Sequence, residues 1–285
     1  MVNFLEAPGL KPGFHKMPFE EYLAIPALNS SSLKQMAKTP KHFMAALGKK
    51  KTFSWGTQQA IKIGKAFDRY FLDRENFSVM IEPDLNKNTK VYKEWASNVP
   101  DGMLVLSKED METVKNMAES VYQKKIFKDI FGSGTSHLVM IWQDMASELW
   151  CKAEIDWISD NGILVDLKTS HDITRHIFYR TAMNLGYHNQ LAFYLSGLTK
   201  ITNTVHNECY IAAVEQTEPY EAIMFRPSTS TMSVASQENL ERMISLRYCF
   251  ERNEWPGYQD EIFCLESGSY IYTETIEEEE EEGDY

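Results

Sequence analysis

The stretch GILVDLKTS, residues 162–170, sets Asp166 and Lys168 two positions apart in a run that otherwise reads as a buried β-strand. Extended side chains alternate faces, so Ile163, Val165 and Leu167 share one side while Leu164, Asp166 and Lys168 share the other. Just upstream, KAEIDW places Lys152, Glu154 and Asp156 on one face of a second strand. The turn Asp160-Asn161-Gly162 is short enough to make the two strands hairpin neighbours, which carries Asp156 toward Asp166 and Lys168. Carboxylate oxygens are the ligands hard Mg²⁺ prefers, one or two of them with waters and phosphate oxygens. An ion so held neutralises a scissile phosphate and lowers the pKa of a bound water. A lysine beside it orients or deprotonates that water and stabilises charge on phosphorus. The chemistry is phosphodiester hydrolysis. An isolated D-x-K has a simpler reading, a salt bridge at a sheet edge, so the surrounding elements decide between them.

Three more residues join the set. Asp68 lies on a helix, TQQAIKIGKAFDRYFLD, whose Ala60, Ile63, Phe67 and Phe71 follow a 3.6-residue period, and Gly64 precedes it by one turn. In RTAMNLGYHNQLAFYLSGL, Gln190 and Tyr194 stand at i and i+4 on one helical face. The strands that position the acids read as an antiparallel meander, SHLVMIWQD, ELWCKAEIDWIS and GILVDLKTS, with turns at residues 145–147 and 160–162. HNECYIAAVEQ and YEAIMFRPS extend the sheet, and ENLERMISLRYCFERN forms a closing helix.

The N-terminal third reads as helices: NSSSLKQMA capped by Asn29 or Ser30, TPKHFMAAL capped by Thr39 with Pro40 in the first turn, and SKEDMETVKNMAESVYQKKIF opened by Ser107 and Asp110. The methionines of the last are core filler. The order predicts an α/β fold with a mixed central sheet flanked by helices. Residues 1–270 form one domain on this reading, helical over about 1–130 with a sheet core over about 131–270.

The chain has 285 residues, 43% hydrophobic and 25% charged, a composition typical of soluble globular proteins. The N-terminus lacks a basic segment followed by an apolar run, and no stretch reaches the length of a membrane span, so an unexported cytoplasmic protein with no membrane partner is expected. Cys151, Cys209, Cys249 and Cys264 show no C-x-x-C spacing, which argues against zinc, a disulfide framework or an iron–sulfur cluster. The net charge of −12 is concentrated in residues 274–285, where Glu274, Glu277 to Glu282 and Asp284 add eight acids and no base. Without them the body carries 29 basic against 33 acidic residues, about −4, which leaves a nucleic-acid partner open. Residues 271–285 read as a disordered, self-repelling tail, or as a phosphate mimic. Lys34, Lys38, Lys41 and His42 form a modest basic stripe, either a solvated helix face or a contact with phosphates.

EIDW followed by ILVDLKTS resembles the PD-(D/E)XK nuclease signature. The ordered series NSSSLKQMAKTPKHF, IGKAFDRYFLD, PDLNKNTK, CKAEIDWI, VDLKTS, GYHNQLAFY and WPGY resembles, more narrowly, the exonuclease VIII (RecE-type) domain of phages and prophages across most of residues 20–260. The resemblance implies a 5′-to-3′ exonuclease on linear double-stranded DNA, leaving 3′ overhangs for a single-strand-annealing recombinase, with Mg²⁺ as cofactor and Mn²⁺ as substitute. It also implies a toroidal trimer or tetramer. Asp156, Asp166, Lys168, Gln190 and Tyr194 become the catalytic set, and Asp68, Asp156, Asp166 and the Leu167 carbonyl the metal ligands. The family's G-x-x-x-H motif reads here Gly64 to Asp68, a carboxylate for imidazole, which shifts the expected preference toward Mg²⁺ over softer ions. The rival expectation is an inactive nuclease fold that binds DNA or recruits a partner.

Overall fold

The computed structural model describes residues 3–49 and 54–262. The acidic segment 271–285 and Cys264 lie outside the described residues, and Cys151, Cys209 and Cys249 are buried free thiols.

In chain order, the N-terminal part runs β1 (Gly13–His15), α1 (Phe19–Ala24), α2 (Ser30–Leu33), α3 (Pro40–Ala46), α4 (Trp55–Leu72), β2 (Val79–Ile81), α5 (Lys90–Ser97), β3 (Leu104–Leu106), α6 (Lys108–Gln123) and α7 (Lys125–Phe131). It continues with β4 (Gly134–Gln143), β5 (Trp150–Ser159), β6 (Leu164–Ser170), α8 (Arg175–Leu185), α9 (Tyr187–Thr202), β7 (Cys209–Glu215), β8 (Ala222–Phe225) and α10 (Thr229–Arg252). The main sheet has the order β1-β4-β5-β6-β7-β8, and β2 with β3 forms a separate parallel pair. The N-terminal third is therefore not wholly helical, because β1 pairs with β4 at the sheet margin.

The expected meander is present, with β4, β5 and β6 antiparallel in sequence. Its position differs from the expectation. β6 is not at an edge, since β7 pairs parallel along its whole length from Leu164–Cys209 to Ser170–Glu215. The parallel pairing requires a crossover, which α8 and α9 supply. Asp166 and Lys168 thus sit inside the sheet, and a solubilising edge salt bridge is excluded.

Two cores sandwich this sheet. Leu164 joins one with Met140, Trp142, Ile155, Leu191, Phe193, Leu198, Ile211 and Leu246, beneath α9 and α10. Val165 and Leu167 join the other with Ala66, Phe67, Val114, Met117, Val121, Phe127 and Val214, beneath α4, α6 and α7. Burying each such aliphatic side chain is worth about 1.5–3 kcal/mol, so β6 is anchored on both faces.

The local signals hold. Asn29 Oδ1 accepts from Ser32 N–H at 2.8 Å, Thr39 caps α3 ahead of Pro40, and Ser107 with Asp110 forms a reciprocal capping box. Three helices differ from the reading, and the expected helix over 107–127 is divided at the extended Lys124 into α6 and α7. The segment 180–198 is broken at Gly186, which adopts φ +70° and closes α8 by donating to the carbonyls of Ala182 and Met183. A side chain would be strained there, so glycine allows α9 to start in a new direction. α10 begins nine residues earlier than expected, capped by Ser228.

Candidate active site

β5 and β6 pair only at Trp157–Val165 and Ile158–Leu164 and then separate. In the opening, Asp156 Oδ2 accepts the Leu167 backbone N–H at 2.7 Å. Asp166 is 1% exposed, and its Oδ2 lies 2.5 Å from Lys168 Nζ. From α9, Gln190 Nε2 donates to Asp166 Oδ1 at 3.1 Å and to the Tyr194 hydroxyl at 2.7 Å. The i, i+4 pair therefore acts as a clamp that fixes the Asp166 carboxylate. Lys168 Nζ also lies 4.9 Å from the Tyr187 ring centroid, at the start of α9.

Asp68 reaches the same place from α4. Gly64, one turn before it, faces β6 so closely that a Cβ would stand 2.8 Å from Thr169 Oγ1. The missing side chain thus lets α4 lie against the strand, and Gln216 ties the contact by donating to Thr169 Oγ1 at 2.7 Å and to the Ala60 carbonyl at 2.8 Å. A cleft of about 440 Å³ opens here, lined by Gly64, Asp68, Leu167, Lys168, Thr169 and Tyr187 among others.

The electrostatics are those of acids crowded in a low dielectric. Burial, then the charges of Asp166 and Asp68, raise Asp156 well above the usual carboxylate range, against Lys168 and the Leu167 N–H. Burial raises Asp68 as well, opposed by His137, Lys168 and Arg69. Burial would lower Lys168, but the Asp166 and Asp156 carboxylates outweigh it and hold the ammonium charged.

A family model for a PDDEXK-like domain of unknown function (DUF3799) matches residues 29–267. The chain belongs to this family. The fold is shared with the crystal structure of a protein from Eubacterium rectale, described as a "putative exonuclease", which is 15% identical, with 91% of this chain and 98% of that chain covered and a TM-score of 0.58. The structure of SSO0001, 12% identical with 84% and 92% covered, reaches a TM-score of 0.28. No curated protein sequence matches the chain.

In this PDDEXK-like chain, Asp68, Asp156, Asp166, Lys168, Gln190 and Tyr194 come together, with the Leu167 backbone beside them. The basic stripe is divided. Lys34 Nζ donates to the Leu185 carbonyl at 2.6 Å and lines a small polar pocket with Ser30, Gln190 and Arg242. Lys38 and Lys41 are exposed, whereas His42 is engaged locally by Thr39 at 2.7 Å and by the edge of Tyr258.

Donor chemistry suits a hard divalent cation, because the carboxylates of Asp68, Asp156 and Asp166 gather beside the cleft, with Asp166 Oδ2 already met by the Lys168 ammonium. Among the described residues no three His, Cys, Asp or Glu side chains form a ready ligand group. A shell of fewer side chains completed by waters and substrate oxygens is the usual arrangement for Mg²⁺.

Two neighbours received no role from sequence. His137 on β4 lies with Nε2 3.6 Å from Asp68 Oδ2 and Nδ1 4.0 Å from Glu154 Oε1. The register from Ser136–Trp157 to Leu138–Ile155 sets it across from Asp156, so counting the β4–β5 hairpin would have found it. Lys152, 3% exposed, donates to the carbonyls of Tyr22, Leu23 and Ile25 and ties the end of α1 to β5.

Proposed function

We propose that the chain is a Mg²⁺-dependent exonuclease that degrades linear double-stranded DNA from 5′ to 3′ and leaves 3′ single-stranded overhangs for a single-strand-annealing recombinase. The observation that carries this reading is the meeting of Asp156, Asp166 and Lys168 where β5 and β6 part, beside the cleft that Asp68 lines. Asp68, Asp156, Asp166 and the Leu167 carbonyl hold the ion, with Mn²⁺ as a substitute. When bound, the ion neutralises the scissile phosphate and activates water for attack on phosphorus.

The protein's own groups do the rest. Lys168 presents a charged ammonium at the cleft wall, where it orients the attacking water and stabilises charge on the phosphoryl oxygens. Gln190 and Tyr194 hold Asp166 in one rotamer, so the ligand oxygen does not have to be ordered during turnover. Lys34, Lys38 and Lys41 meet the phosphate backbone without reading bases, as suits an enzyme that travels along DNA. His42 joins them only at the margin, since its ring is already engaged. A closed ring of three or four copies would keep the duplex in place between cleavages.

The non-catalytic reading, a nuclease fold that binds DNA or a partner, has two observations in its favour. Lys168 already pairs with Asp166, and no three acidic or imidazole side chains form a ligand group among the described residues. Linear duplexes labelled at the 5′ or the 3′ end, beside closed circular DNA, test the proposal. Early release of the 5′ label with circles left intact supports it, and nicking of circles or early release of the 3′ label contradicts it.

A further inference from the structure

We infer that His137 is a ligand of the divalent ion, bound through Nε2 beside Asp68, so that the site offers a mixed imidazole and carboxylate set. This rests on the nuclease reading above and adds a residue outside its motif.

Three features of His137 point this way. Its Nε2 is buried and has no hydrogen-bond partner, although a carboxylate oxygen stands 3.6 Å away. Two ligand atoms, each about 2.1 Å from one ion, lie roughly 3 Å apart. Small adjustments of either side chain would bring Nε2 and Asp68 Oδ2 to that separation.

His137 also adopts φ +49° within β4. A non-glycine residue in the left-handed region inside a strand is costly and persists where the surroundings impose it. The backbone on either side keeps its register with β5, so the distortion is confined to the residue that faces the acids. Finally, Glu154 Oε1 is 4.0 Å from Nδ1. A carboxylate on that side favours a proton on Nδ1 and leaves the Nε2 lone pair toward Asp68, the arrangement common to metal-bound histidines.

An imidazole nitrogen raises affinity for Mn²⁺ and later ions relative to Mg²⁺. The Mg²⁺ preference expected from a carboxylate at position 68 is thereby offset by a nitrogen from the adjacent strand.

The test is pulsed EPR of Mn²⁺ added to the full chain without DNA, with His137→Asn and His137→Gln beside the wild type. Asparagine tolerates the left-handed backbone, so His137→Asn should keep the fold, which circular dichroism and melting verify. The wild type should bind Mn²⁺ with the ¹⁴N modulation of a coordinated imidazole. Both variants should lose that modulation and bind Mn²⁺ roughly 10- to 100-fold more weakly, with a smaller loss for Mg²⁺. Wild-type Mn²⁺ binding without imidazole modulation, and with unchanged affinity in folded His137→Asn, would overturn the inference while leaving the nuclease reading intact. No Mn²⁺ binding by the wild type would likewise overturn the inference, while the nuclease reading stands or falls on the end-labelled duplexes.

Discussion

Asp156 Oδ2 accepts the Leu167 N–H at 2.7 Å, a side-chain bond lying just past the Trp157–Val165 pair, where the β5–β6 ladder ends. One carboxylate thereby fills the gap between the strands and fixes the residue between Asp166 and Lys168. Its remaining oxygen and its charge stay with the acid cluster. Burial and two like charges work against ionised Asp156, so the site holds it at a cost to stability.

Asp156→Asn keeps an acceptor for Leu167 N–H and removes the charge. We expect a melting temperature equal to or above the wild type in metal-free buffer, with nuclease activity reduced at least 100-fold. Asp156→Ala leaves the N–H without a partner and should cost about 1–3 kcal/mol, measured by urea titration. Equal stability of the Ala and Asn variants would show that the bond does not matter.

Gly64→Ala sets a methyl 2.8 Å from Thr169 Oγ1 and pushes α4 off β6, carrying Asp68 with it. Overpacking of this kind costs about 1–3 kcal/mol. Thr169→Ala in the same chain should recover part of the loss, because it removes the opposing oxygen. A double variant no more stable than Gly64→Ala would place the close contact elsewhere.

Gln190→Leu removes both bonds of the clamp while keeping the bulk of the side chain. Activity should fall roughly 10- to 100-fold, as for other residues that orient metal ligands, with Tyr194→Phe losing less. Stability should fall as well, by about 1–3 kcal/mol, because the buried Asp166 Oδ1 and Tyr194 hydroxyl lose this partner, and an unchanged rate in Gln190→Leu would mean that Asp166 needs no such support.

Lys152 gives a pH signature. Burial lowers it from 10.5 to about 8, while the unfolded chain keeps the ordinary value. Between about pH 8 and 10.5 the unfolded state binds the extra proton, so this group adds stability as pH rises through that window, by about 3 kcal/mol in full. Below pH 8 both states are protonated and the burial cost is constant. Lys152→Met should remove this rise, as read from the difference in melting temperature between the two proteins across the window. Parallel curves would assign Lys152 an ordinary pKa, held by its three carbonyl acceptors.

What the sequence made legible was local or periodic. The caps at Asn29, Thr39 and Ser107 depend on three or four consecutive residues, and the alternation in KAEIDW and GILVDLKTS placed Asp156, Asp166 and Lys168 correctly on their strands. Long-range pairing decided the rest. Whether β6 is edge or interior depends on β7, more than 35 residues later, and nothing in GILVDLKTS encodes that partner. The break at Gly186 was hidden because glycine is tolerated inside helices as well as at their ends. His137 was missed for a different reason: its backbone leaves the regular strand conformation, so alternation along SHLVMIW does not say where its ring points, and only the β4–β5 register sets it opposite Asp156.

On the proposed function, Asp166 and Lys168 make this PDDEXK-like fold a metal-dependent nuclease. The rate at which linear double-stranded DNA loses nucleotides with Mg²⁺, with Mn²⁺ and with a chelator, for the wild type, Asp166→Asn and Lys168→Ala, tests this. Degradation by the wild type is expected only with metal, with a loss of at least about 1,000-fold in either variant while DNA binding persists. Wild-type protein that binds DNA and is as inert as Lys168→Ala in both metals would contradict it and leave the binding reading in its place.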